Sequence, residues 1–167
     1  MFSLQTIFGS GQQFYTLLDE AAQAAYDSTK ALHSMMKATD RQPALDAFKL
    51  ARLRERAASD KISQALVDSF ITPIEREDIE ALGSALYKIP KQVEKFADRY
   101  SLALQHLEGI DFAPRAAMLE LYRDIYSGRL DNLQMFLLKE FFEILEKAID
   151  RCREAGVVAY QIVLKNS

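Results

Sequence analysis

A chain of 167 residues with 49 % apolar and 27 % charged residues is long enough for one domain with its own core. Its net charge of −3 gives no global pull toward nucleic acid or anionic lipid. The single cysteine, Cys152, excludes an intramolecular disulfide or a cysteine-based zinc cluster, and makes a reducing, cytoplasmic compartment the expectation.

Six glycines and four prolines punctuate the chain, and β-branched alternation is almost absent. The expected class is therefore all-α: one domain over residues 1–167, an elongated antiparallel bundle of about five helices. Met1 to Phe14 lack the basic start and apolar run of a secretory signal. No uninterrupted apolar stretch of about 18 residues is present, so no membrane span is expected.

The first helix is expected over about Gly11–Met36, and the polar turn Lys37–Pro43 leads to a second over about Ala44–Ser69. In the second, Leu50, Leu53, Ala57, Asp60, Gln64, Val67 and Ile71 trace a seam at spacings of three and four. The third helix has a written start: Thr72 as N-cap, Pro73 at the first helical position and Glu75 three residues on, a capping box. Its seam is Ile79, Leu82, Leu86, Ile89, Val93, Phe96, Tyr100, Ala103 and Leu107, with Pro90 expected to kink it. A fourth helix is expected over about Ala113–Tyr126, stopped by Ser127-Gly128. The fifth runs over about Asp131–Leu164, with a seam of Leu138, Phe142, Leu145, Ile149, Cys152, Gly156, Ala159 and Val163. Gly156 and Ala159 would admit a close neighbouring helix, and Cys152 is expected as a buried small hydrophobe.

Catalytic machinery is thin. His33 and His106 fall on separate helices with no glutamate at a Glu-x-x-His spacing, which gives a di-iron oxidase no support. A phosphotransfer role for His33 is disfavoured because Lys37 lies four residues on and no glycine follows it. No nucleophile–base pair can be assembled, so an enzyme is not expected.

The carboxylates are the candidate ligands. Glu146, Asp150 and Glu154 recur at every fourth position, where like charges repel by about a few tenths of a kcal/mol. Either a bound cation or the neighbouring Lys147, Arg151 and Arg153 offsets them. Glu120 and Asp124 form a second pair at the same spacing. Asp60 stands on the apolar stripe of the second helix, where a buried carboxylate needs a partner such as Arg54 or Arg56, unless the site is partly exposed.

The stretch Phe70-Ile-Thr-Pro-Ile-Glu-Arg-Glu-Asp-Ile79 resembles the signature of the divergent PhoU-related family, helical accessory or regulatory proteins of Pit-type phosphate transporters. Leu145-Glu-Lys-Ala-Ile-Asp-Arg-Cys-Arg-Glu154 resembles that family's closing segment, and Ile162-Val-Leu-Lys-Asn166 its tail. The resemblance covers about residues 10–166 and is weak between Ala97 and Arg129. It implies two pseudo-repeated three-helix units and divalent or ferric ions held by Glu/Asp-x-x-x-Asp pairs.

Glu146 and Asp150 match one such pair. Asp60 matches the acidic end of another, with Arg56 where its glutamate would be. Leu86-Tyr-Lys-Ile-Pro-Lys91 stands where three acids are expected, and its lysines would repel a cation. The chain looks one helix short between the third helix and Ser127-Gly128; the preferred alignment puts Asp111 and Arg115 at the remaining pair, which loses that site, and Glu120 and Asp124 fill it only if the deletion falls elsewhere.

The function implied is a non-enzymatic regulator of inorganic phosphate transport, contacting a Pit-type permease at the inner membrane face. No nucleic acid is involved, and membrane contact comes through the partner. The apolar Met1–Phe8 is a further candidate for such contact. The alternatives are a carboxylate-based metal-binding protein using Glu146, Asp150, Asp60, Glu120 and Asp124, and a helical homo-oligomerisation module, since heptad seams also build homodimers.

Overall fold

The computed structural model describes residues 4–37, 45–106 and 130–167, with α1 side chains described from Gly11 to Met36. Within these residues the chain is an all-α bundle: α1 (Leu4–Lys37), α2 (Leu45–Asp68), α3 (Arg76–Ala103), a 3-10 turn at Leu104–His106, and α4 (Asn132–Lys165). The expected helix over Ala113–Tyr126 lies outside the described residues. At 34 residues, α1 and α4 are each about 51 Å long.

Cross-helix pairs fix the directions. Arg54 lies 3.4 Å from Asp27 and Lys61 lies 3.1 Å from Glu20, so α2 runs antiparallel to α1. Ile62 of α2 packs beside Gly83 of α3, while Arg52, earlier on α2, reaches Tyr87 and Glu94, later on α3. Those two helices are antiparallel as well. Helices α1, α2 and α3 pack mutually, and α4 packs on α3. A ladder descends the α3–α4 seam: Lys165 to Asp78 at 2.8 Å, Lys88 to Glu154 at 2.7 Å, then Arg99 to Glu140. Between the last two, the Gln92 side chain donates to the Ile144 carbonyl.

Helix α3 is the common partner because its apolar residues recur on more than one face. Ile79, Leu86, Ile89, Val93, Phe96, Tyr100 and Ala103 of the expected seam are buried, and Leu82 is half-buried. Ala85 and Ala97 add a second buried row. Phe96, Tyr100 and Phe141 form an aromatic cluster with centroids 5.5–6.0 Å apart, edge-on across α3 and α4. Pro90 is buried inside α3, which continues unbroken to Ala103.

Four local expectations change. Helix α1 starts earlier than Gly11, and takes Gly11 into its interior facing Pro73. Helix α3 starts at Arg76 with Glu75 as N-cap and no side-chain cap. The Thr72 hydroxyl donates instead to the Ile74 carbonyl at 2.7 Å, holding Thr72–Glu75 outside the helix. Arg76 turns back to the carbonyls of Ser69 and Leu66 and satisfies the end of α2. The capping box occurs at α4, where Asp131 accepts from the Gln134 N–H at 2.8 Å and Gln134 accepts from the Asp131 N–H at 3.2 Å.

The other two changes rotate whole helices. The buried row of α2 is Phe48, Ala51, Arg52, Glu55, Ala58, Ile62 and Ala65, while Leu50, Leu53, Ala57, Asp60, Gln64, Val67 and Ile71 are exposed. The buried row of α4 is Leu138, Phe141, Ile144, Ala148 and Ala155. Phe142 and Leu145 flank it, and Ile149, Cys152, Gly156 and Val163 face outward. Among the described residues no atom lies within 4 Å of a Cβ built on Gly156, so no described helix packs closely there.

Candidate functional site

Among the described residues, the buried charged side chains are Arg52 and Glu55, one turn apart on α2. Burial follows from their place in the row of small residues that faces α1 and α3. With alanines at 51 and 58, the long side chains at 52 and 55 fill space that a leucine seam would otherwise occupy. Arg52 Nη1 donates to Glu55 Oε2 at 2.7 Å, and Nη2 donates to the Tyr87 hydroxyl at 2.6 Å. Arg52 Nε lies 3.7 Å from Glu94 Oε2, and its guanidinium sits 4.2 Å over the Tyr87 ring. One guanidinium thus ties α2 to α3 through a carboxylate, a phenol, a ring face and a second acid.

Glu55 is fully buried, and its Oε1 has no hydrogen-bond partner among the described residues. Burial pushes its carboxyl up to about 7, against the pull of Arg52 and Arg56. The hydrogen bond from Arg52 lowers the Tyr87 hydroxyl from its ordinary value, with Arg56 and Lys91 adding to it. The arrangement is an interhelical lock with a proton-sensitive member. The sequence signal for it was weak: Arg52 and Glu55 sit three residues apart in a charged segment, with nothing to mark them as inward-facing.

The candidate ligands do not converge among the described residues. Asp60 is exposed on the outer face of α2, away from the buried row that holds Glu55. Glu146 and Asp150 are exposed on α4, and Asp150 takes a 3.1 Å ion pair from Arg153. Glu154 is bound by Lys88 and Arg151, each at 2.7 Å, and these bonds hold its carboxyl below the usual range. Lys88, which departs from the acidic pattern of the resembled family, thus supplies the charge that offsets Glu154. Among the described residues no group of three or more His, Cys, Asp or Glu side chains is placed to hold a metal. Glu120, Asp124, Asp111 and Arg115 lie outside the described residues. His33 and His106 are exposed and far apart in the chain.

Among the described residues, two apolar surfaces lie on α4. A groove of about 370 Å³ runs between α1 and α4 over α3, with Leu18, Ala25, Leu86, Ile89, Ala155 and Gly156 in its lining. Cys152 lines it too and is exposed, because the buried row of α4 is displaced from the expected seam; desolvation pushes its thiol up. Beyond the groove, Ile149, Val157, Tyr160, Val163 and Leu164 form the outer face of the C-terminal half of α4, each at least half exposed. Among the described residues no helix is long and apolar enough to cross a membrane.

No protein-family model, curated protein or solved structure matches this chain.

Proposed function

We propose that this chain is a non-enzymatic helical docking protein that regulates inorganic phosphate transport by binding a Pit-type permease at the inner face of the membrane. The observation that carries the docking part is the outer face of α4. Five large apolar side chains, Ile149, Val157, Tyr160, Val163 and Leu164, lie exposed around Arg153 on a helix whose opposite face is held against α3 by ion pairs. Large exposed apolar side chains gathered around an arginine suit a protein partner. The transport part rests on the resemblance of Phe70–Ile79, Leu145–Glu154 and Ile162–Asn166 to the PhoU-related family. Two of those stretches lie on or beside this face.

Co-purification tests it. The full chain, mixed with a detergent-solubilised Pit-type permease, is expected to be retained on the immobilised permease. Tyr160→Glu is expected to abolish retention while leaving the helical circular dichroism unchanged. Equal retention with and without the permease overturns the proposal.

A further inference from the structure

We propose that a free phosphate dianion binds on the α2–α3 face at the Tyr87 hydroxyl, held between Arg56 and Lys91. This goes beyond permease docking and uses a different surface.

The site grows out of the Arg52 lock. Arg52 Nη2 donates to the Tyr87 oxygen at 2.6 Å, so that oxygen serves as an acceptor and its own O–H is left to donate. Among the described residues nothing accepts from it. Arg56 stands one turn after Arg52 on α2 and reaches the same hydroxyl. Lys91 stands one turn after Tyr87 on α3, with its Nζ 6.0 Å from the ring centre. Both cations are exposed, and neither is in ion-pair contact with an acid among the described residues. Lys49 and Lys95, exposed and likewise unpaired among these residues, extend the positive stretch by a turn on each helix. Asp60, one turn beyond Arg56, ends it. A chain of net charge −3 thus keeps a local excess of cations on one face.

The donors choose the class of ligand. A guanidinium, an ammonium and a phenolic O–H suit an oxyanion and repel a metal ion. The guanidinium of Arg52 also makes the Tyr87 hydroxyl a stronger donor, which is why its titration lies below the ordinary value. Glu55 takes no part, because it is buried and held by Arg52 Nη1.

Glu94 separates phosphate from other oxyanions. Its Oε2 lies 3.7 Å from Arg52 Nε, the atom that shares one edge of the guanidinium with Nη2. The carboxylate and the Tyr87 hydroxyl therefore border the same edge. A hydrogen phosphate dianion carries one O–H, which can donate to that carboxylate. Sulfate carries none and meets only its repulsion. The site is open to water, so binding is expected to be weak and to fall with salt.

Heteronuclear NMR of the full chain, titrated with inorganic phosphate at pH 7.5 and constant ionic strength, tests this. The signals of Arg56, Tyr87 and Lys91 are expected to shift together and to saturate by roughly 10 mM phosphate. Tyr87→Phe keeps the ring and Arg56→Gln touches an exposed side chain, so helicity is expected to hold while each weakens binding about three- to tenfold. Glu94→Ala is expected to raise the affinity for sulfate and erase the preference for phosphate. Equal responses to phosphate, sulfate and chloride in the parent overturn the proposal, as does binding indifferent to both Tyr87→Phe and Arg56→Gln. Vesicles of phosphatidylcholine with phosphatidic acid are expected not to sediment the chain. Sedimentation that Arg56→Gln abolishes, with no response to free phosphate, overturns the free ligand in favour of a lipid headgroup. The titration contains no permease, and Tyr160→Glu is expected to leave it unchanged, so the two proposals fail separately.

Discussion

Arg52 Nη1 stands 2.7 Å from Glu55 Oε2 in a place where the glutamate sees no solvent, and the same guanidinium holds Tyr87 on α3. The pair lies within the row of α2 that meets the bundle, so it joins two helices where apolar side chains would ordinarily do so. Such a pair is weak evidence for stability, because the desolvation of two charges offsets much of their attraction. Its consequences appear when one member changes charge.

Stability is expected to rise as pH falls from about 7 toward 4.5. Burial raises the Glu55 carboxyl from 4.5 to about 7 in the folded chain, so the folded state binds a proton that the unfolded state releases. The stabilising contribution is fully present below the unfolded value and is lost as pH rises through the folded one. A shift of that size corresponds to roughly 3–4 kcal/mol across the window. Melting temperature measured from pH 4.5 to 8 is expected to slope downward in the parent. In E55Q, which cannot ionise at that position, the slope is expected to flatten.

Removing only the cation is expected to be severe. Arg52→Met leaves Glu55 buried without its ion pair and deprives Tyr87 of a donor, a loss of about 3–5 kcal/mol above pH 7. Arg52→Met with Glu55→Leu removes both charges and is expected to return to within about 1 kcal/mol of the parent. Urea denaturation of the parent, both single variants and the double variant checks the coupling. Additive losses would show that the two side chains do not act as a pair.

How far the sequence revealed this fold depended on which residues marked each buried face. On α3 the apolar residues at seam spacing are large and the residues between them are mostly polar, so pattern and burial agree from Ile79 to Ala103. On α2 the inner row is mostly alanine plus Arg52 and Glu55, while Leu50, Leu53 and Val67 lie outside. Hydrophobicity there marks a face, but not the bundle's face. That inversion also placed Asp60 on a supposed inner stripe and hid Glu55. On α4 two apolar rows run side by side, and the choice of Phe142 over Phe141 turned the helix far enough to bury Cys152 wrongly. The Thr72–Glu75 motif fitted capping chemistry as well as Asp131–Gln134 does. What separates them is the Thr72 hydroxyl's bond to Ile74 and the retreat of Arg76 to α2, neither of which a local pattern contains.

Two glycines are expected to answer alanine in different ways. Gly83 is buried in α3, and a Cβ there would meet Ile62 methyl carbons at 3.5 and 3.8 Å, which is ordinary contact. Gly83→Ala is therefore expected to stabilise by about 0.5–1 kcal/mol through lower unfolded-state entropy and added contact. Gly156→Ala meets no described atom and is expected to gain a similar amount from helix propensity alone. Denaturant midpoints of the two variants measure this. A destabilised Gly156→Ala would reveal a close neighbour at that face.

Cys152 is expected to react in the native state, but slowly. It lines the groove between α1 and α4 and is exposed, so a small thiol reagent reaches it without unfolding. Desolvation by the apolar walls pushes its thiol above the ordinary value, so at pH 8 a smaller fraction is thiolate than in a free peptide. The rate of labelling by a disulfide reagent is expected to lie below that of the urea-unfolded chain at the same pH, and to rise steeply toward pH 10 as the thiolate forms. Because reaction proceeds from the folded state, the rate is expected to be unchanged in Gly83→Ala, whose unfolding is rarer. A rate that fell in step with that variant's added stability would mean that the thiol reacts only after unfolding, and that the groove is closed.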